Sequence, residues 1–172
     1  MSPVSHTTST PHGPGRWDVR FEVHLPFAYE ALWPALTTPQ GLRGWLAEAE
    51  VPEHRLGGEV TLRRSDGAEA STGRITAWDV ERVAEYTLTA PESAGPGALR
   101  GRIRFHLEPV GTDSTVIRFL DERGGSDEER FDCLADWHER FERLEAVLTG
   151  QPPPSGSRRE ELRASYAAFS RA

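Results

Sequence analysis

The chain has 172 residues, enough for one sizeable domain, and 37% of them are apolar, five being Trp, so a real core is expected. Its 27 acidic residues outnumber 20 basic ones for a net charge of −7, which argues against a nucleic-acid surface or an anionic membrane. Every base is Arg, which removes lysine-based catalysis, and the single Cys133 excludes an internal disulfide and suits a reducing cytosol. No stretch has the length of an apolar membrane span and the N-terminus lacks a secretory core, so a cytoplasmic protein is expected.

Residues 1–15 are polar and rich in Pro and Gly, the composition of a disordered leader. Residues 17–25 alternate around Val19, Phe21, Val23 and Leu25 and predict a half-buried strand that Pro26 ends. Residues 28–36 read as a short helix, and Thr38 followed by Pro39 starts a second that runs toward Gly44-Trp45-Leu46. Strand character resumes over 55–64, with Ser65-Asp66-Gly67 as a hairpin turn. Residues 71–80 and 83–89 predict two strands around a tight Glu81-Arg82 turn, and 91–97 a loop. A long strand over 99–110 places Ile103, Phe105 and Leu107 on one face. Gly111-Thr112-Asp113 then turns into 115–121, where Ile117, Phe119 and Asp121 share parity.

Residues 126–150 carry the signals of a long amphipathic helix. Ser126 caps the first turn and Glu129 completes a capping box. Phe131, Leu134, Trp137, Phe141, Leu144 and Leu148 fall three or four residues apart, on one face. Gly150 suits the left-handed position after the helix, and the prolines at 152–154 forbid continuation. At about 1.5 Å per residue it spans roughly 34 Å, the width of a small domain. After the Pro-rich linker 151–157, residues 158–172 form a second helical candidate with a Leu162, Tyr166, Phe169 stripe. Four Arg against two Glu make this tail positive. Eight acids against three Arg make residues 127–149 negative, so the tail is expected to dock on the long helix of its own or a neighbouring subunit. That leaves a homodimer open.

One strand, two short helices, about five hairpin-linked strands and a long helix imply an α+β domain with an antiparallel sheet under the helix. Motifs of direct chemistry are absent or broken. His138-Glu139 followed by Glu142 lacks the second His of a zinc helix, no G-x-S-x-G turn frames a Ser, and no Gly-rich phosphate loop follows a strand. His138 and the acids of the helix are assigned to its outer surface. Arg102, Arg104 and His106 alternate with Phe105 and are read as solvent-facing.

The segment from Phe27 through Trp33, Thr37 and Pro39 to Trp45-Leu46 resembles the START-like (SRPBCC) ligand-binding domains. The closest branch is that of the C-terminal domain of the heat-shock ATPase activator. Leu56-Gly57-Gly58, Gly73-Arg74-Ile75 with Trp78-Asp79, and the Leu134 to Leu148 helix resemble its later landmarks, so the similarity covers roughly 17–149. The resemblance implies a helix-grip fold, a curved sheet wrapped around the long C-terminal helix with a cavity between, occupying residues 16–150. It carries no shared cofactor or catalytic set, and none is expected here. A cavity in such a domain would be lined by Trp33, Trp45, Trp78, Tyr86, Phe105, Phe119, Trp137 and Phe141. Asp121, pointing inward by parity, could orient a ligand or act with Tyr86 in acid–base chemistry. The leading expectation is binding of an apolar small molecule such as a lipid, polyketide or aromatic metabolite. A cyclase, dehydratase or hydrolase acting in the same cavity, and a chaperone-interaction module, are the alternatives.

Overall fold

The computed structural model describes residues 2–64, 69–95, 97–152 and 158–171. Its strands are β1 (Val4–Pro11), β2 (Arg16–Leu25), β3 (Glu48–Glu50), β4 (Glu59–Arg63), β5 (Ser71–Asp79), β6 (Val83–Thr89), β7 (Gly101–Val110) and β8 (Ser114–Gly124). The helices are α1 (Tyr29–Thr37), α2 (Pro39–Arg43), α3 (Asp127–Leu148) and α4 (Arg159–Arg171). The strands make one antiparallel eight-stranded sheet in the order β1-β2-β8-β7-β6-β5-β4-β3. Every neighbouring pair except β2–β8 is consecutive in sequence, and α1, α2 and α3 lie on the face that the alternating apolar residues present. This is the α+β helix-grip arrangement expected from the order of elements.

Side-chain parity explains how the sheet and α3 share a core. Val19, Phe21 and Val23 of β2 stand opposite Asp121, Phe119 and Ile117 of β8, and those three face Ile103, Phe105 and Leu107 of β7. All nine are buried beneath α3. The helix begins with the full capping box, Ser126 accepting from the Glu129 amide while the Glu129 side chain accepts from the Ser126 amide. It buries Phe131, Leu134, Trp137, Phe141 and Leu144. Leu148 packs only partly, and Gly150 adopts φ 73°, the left-handed conformation that ends the helix. At the other short helices, Thr38 ends α1 and caps α2 by accepting from the Gly41 amide at 3.0 Å, with Pro39 supplying the first helical φ.

The structure departs from the sequence reading at the chain's ends and in the middle. The expected disordered leader 1–15 instead contains β1, which pairs with β2 from Val4↔Val23 to Pro11↔Trp17. A short strand, β3, was not anticipated and closes the far edge against β4. The strand expected over 55–64 starts only at Glu59, because Gly57 (φ 85°) turns the chain and Gly58 lies where a Cβ would meet the Glu53 carbonyl at 2.3 Å. The hairpin turn predicted at 65–67 lies outside the described residues, as do residues 153–157 of the Pro-rich linker.

The tail docks as its charge predicts, on α3 of the same chain. Arg159 pairs with Asp136 at 2.6 Å and Asp132 at 3.2 Å, Arg163 with Asp132 at 2.7 Å and with Glu128, and Arg158 with Glu142 at 2.6 Å. Leu162 and Ala167 are buried beneath this ladder of ion pairs. Among the described residues no helix is long and apolar enough to cross a membrane.

Candidate functional site

Of the aromatic residues singled out from the sequence, most meet in one cluster between the sheet and α3. Phe119 lies 4.3 Å from Trp137 and 5.2 Å from Phe105, ring centre to ring centre. Trp45 stacks on Phe141 at 5.9 Å and meets Phe105 edge-on at 6.0 Å, and Phe21 closes the group at 5.6 Å from Phe141. Trp45 is held in place by its indole N–H, which donates to the Ala35 carbonyl at 2.8 Å. Tyr86 borders Phe105 and donates its hydroxyl to the Leu36 carbonyl at 2.8 Å, and burial pushes that hydroxyl well above the usual phenol range. The rings pack against one another and form the centre of the core between sheet and helix. Trp33 and Trp78 form a separate pair at 5.1 Å, beside His54, at the α1 end of the sheet.

Asp121 sits on the inner face, as parity requires, and is fully buried. It forms an ion pair with Arg123 and accepts the Trp137 indole N–H at 2.8 Å and the Cys133 thiol at 3.4 Å. Burial opposes the charge on Arg123, yet Asp121 beside it holds the guanidinium above its ordinary range. Burial likewise pushes the Cys133 thiol far up. The carboxylate thus accepts from three groups of the fold, and the Tyr86 hydroxyl is engaged with a backbone carbonyl. Asp121 ties α3 to β8 from inside.

A groove that the sequence reading missed lies on the flank of α3, between β1 and α4. It has a volume of about 790 Å³. Its apolar lining comes from Leu134, Leu162 and Phe169, the last 80% exposed at the rim. Its polar wall is a chain of contacts: His138 Nδ1 lies 2.6 Å from the Tyr166 hydroxyl, which lies 3.3 Å from the Thr7 hydroxyl. His138 Nε2 faces Glu142 at 3.5 Å and the Ser2 hydroxyl at 3.3 Å. With the ring proton on Nε2 toward Glu142, Nδ1 accepts from Tyr166 O–H, which in turn accepts from Thr7. Burial lowers the His138 pKa, with Glu142 working against it and Arg158 with it. Arg130 completes the wall, donating to Ser9 at 3.0 Å.

His138, assigned from the sequence to outer surface, is therefore half-buried and bonded. The signal that could have found the groove was present. Leu134 and His138 are one turn apart on α3, and the Leu162, Tyr166, Phe169 stripe on α4 needed an apolar partner. Among the described residues no group of acids, His and Cys is arranged to hold a metal ion.

A family model described as Activator of Hsp90 ATPase homolog 1-like protein matches residues 26–149, from just after β2 to the end of α3. The chain belongs to that family. No curated protein sequence matches it. Solved structures resemble it in fold. A protein of unknown function, EF2215 from Enterococcus faecalis, superposes with a TM-score of 0.77 at 18% identity over 96% of this chain and 90% of that one. CalU16 from Micromonospora echinospora gives 0.75 at 16% identity over 97% and 98%. The Aha1 dimer from Colwellia psychrerythraea gives 0.60 at 20% identity over 76% and 95%. In this member of the Hsp90 ATPase activator homologue family, β1 and α4 lie outside the matched region, so the groove combines one family helix with two flanking elements.

Proposed function

We propose that this protein is a binding domain for a small apolar molecule with one polar end, seated in the groove between β1, α3 and α4. The observation that carries this reading is the composition of that groove. A volume of about 790 Å³ is in the range of small-molecule sites, and its apolar wall of Leu134, Leu162 and Phe169 converges on the polar run His138–Tyr166–Thr7. The apolar lining supplies affinity, and the hydroxyls and imidazole fix orientation. Trp45, Phe105, Phe119, Trp137 and Phe141 then act as the rigid body under the site rather than as its walls, with Asp121 and Tyr86 holding that body together.

The test is a thermal-shift and Trp-fluorescence titration with medium-chain fatty acids, aromatic polyketides and monocyclic aromatic acids. At a ligand concentration of about 100 Kd, stabilisation is about 2.7 kcal/mol, or roughly 5–10 °C in melting temperature for a domain of this size. Phe169→Ser, changing a largely exposed side chain, is expected to weaken binding without lowering the melting temperature of the free protein. The absence of a saturable shift with any compound, or an unchanged affinity in a chain ended at Gln151, overturns the assignment of this groove.

A further inference from the structure

A second groove lies on the other side of α3 and shares no residue with the first. It is bounded by α3, the loop after β6 and the start of α4, and has a volume of about 440 Å³. Four guanidinium groups line it, from Arg64, Arg140, Arg143 and Arg159, against the carboxylates of Asp136 and Glu139.

The two carboxylates are engaged. Asp136 is held by Arg159 at 2.6 Å, and Glu139 accepts the Arg158 backbone N–H at 2.7 Å while lying 3.8 Å from Arg143. Arg140 is placed differently. Its guanidinium lies over the Trp137 ring at 4.9 Å, and one nitrogen donates to the Gly97 carbonyl at 3.3 Å. No carboxylate among the described residues forms an ion pair with it. Burial pulls its pKa down, Asp136 raises it, and the neighbouring Arg123 lowers it. A half-buried cation that sits near another cation and forms no ion pair with a described carboxylate is stabilised by an incoming anion. Guanidinium groups present parallel N–H pairs matched to the two oxygens of a carboxylate or phosphate.

We propose that this groove binds the oxyanion of a small molecule, a phosphate or a carboxylate, with Arg140 and Arg143 as its principal donors. Leu46 and Ala94 beside the guanidinium groups give any carbon skeleton attached to the anion an apolar surface. The Arg140 guanidinium lies over the Trp137 ring, so an anion bound to it alters the field at that indole. The two grooves lie on separate flanks, so the fate of either assignment leaves the other standing.

The experiment titrates the full chain with inorganic phosphate in one arm and succinate in the other, following Trp fluorescence and the arginine Nε–H resonances. Sodium chloride at matched ionic strength is the control. A saturable response to either probe beyond the chloride control is expected, and the tighter of the two identifies the anion class. Arg143→Gln, at a half-exposed side chain whose nearest carboxylate, Glu139, is 3.8 Å away, is expected to keep the melting temperature and weaken binding about tenfold. Arg140→Lys, which keeps a charge but loses the planar fork, is expected to weaken it at least as much. If that variant does not fold, Arg143→Gln decides. Responses indistinguishable from chloride for both probes, or an affinity that Arg143→Gln leaves unchanged, overturn the proposal.

Discussion

Replacing Asp121 by Ala tests the most consequential contact in the core. The substitution removes the ion-pair partner of Arg123 and the acceptor of the Trp137 indole N–H at 2.8 Å, leaving a buried cation with only the Ala98 carbonyl at 3.4 Å and a buried donor with no acceptor. Breaking one side of a buried ion pair costs about 3–5 kcal/mol, and an orphaned N–H adds about 1–3. The combined loss is expected at about 4–6 kcal/mol, since the two effects overlap. That is a large share of the roughly 5–15 kcal/mol that stabilises a domain, and it lowers the melting temperature by roughly 10–20 °C. Urea and thermal unfolding followed by Trp fluorescence measure it. Asp121→Asn keeps an acceptor but loses the charge, so its cost is expected to be smaller. The double variant Asp121→Leu with Arg123→Met is expected to recover stability over Asp121→Ala, because it removes both charges together. A loss under about 1 kcal/mol for Asp121→Ala, or a double variant as costly as the summed singles, would refute the reasoning.

Cys133, whose thiol is buried and whose pKa is pushed far up, is expected to react with a disulfide reagent only as fast as the protein unfolds. A reaction complete in the native state within the mixing time would count against it. His138 has a folded-state pKa below its ordinary 6.5, so the unfolded chain takes up the proton first as pH falls. The stability this group contributes is present above about pH 6.5 and is lost as pH drops through the folded value. Urea midpoints between pH 7.5 and pH 5.5 are expected to fall, and His138→Gln to flatten part of that slope. Ending the chain at Gln151 removes the burial of Leu162 and Ala167 and the ion pairs to Glu128, Asp132, Asp136 and Glu142. A loss of about 2–4 kcal/mol is expected, from about 1.5–3 for the leucine and under 1 for each ion pair. The difference from the full chain should shrink at about 1 M salt, where screening reaches about 3 Å, and a salt-independent difference would count against the ion pairs.

The parts legible in the sequence are those whose signal is local or periodic. The capping box needs only Ser126 and Glu129, and the inner-face assignment of Phe105, Phe119 and Asp121 needs only strict alternation along β7 and β8. Charge asymmetry sufficed for the docking of α4. β1 was illegible because its Ser, Thr and His residues alternate no apolar face. It is an edge strand whose residues are half-buried or exposed, stabilised mainly by its ladder to β2. Asp121 was placed on the right face, but its partners come from a residue two positions on and from α3, which no pattern in β8 reveals. His138 and Tyr166 are 28 positions apart, and their bond depends on the register in which α4 lies along α3. The same holds for the Arg groove, where Arg64 follows β4, Arg140 lies on α3 and Arg159 on α4.

The docking of α4 also makes the first groove a site with one wall on a tether. The covalent connection between α3 and α4 makes their docking intramolecular, so weak contacts suffice to keep the wall in place. A ligand that touches Leu134 and Phe169 at once bridges the two helices. By reciprocity, the factor by which a docked α4 favours the ligand is the factor by which the ligand favours docking. The same contacts can be satisfied by α4 of a second copy, because an exchanged helix meets an identical α3. Two chains that traded α4 would form a dimer with two complete grooves, each built from both chains.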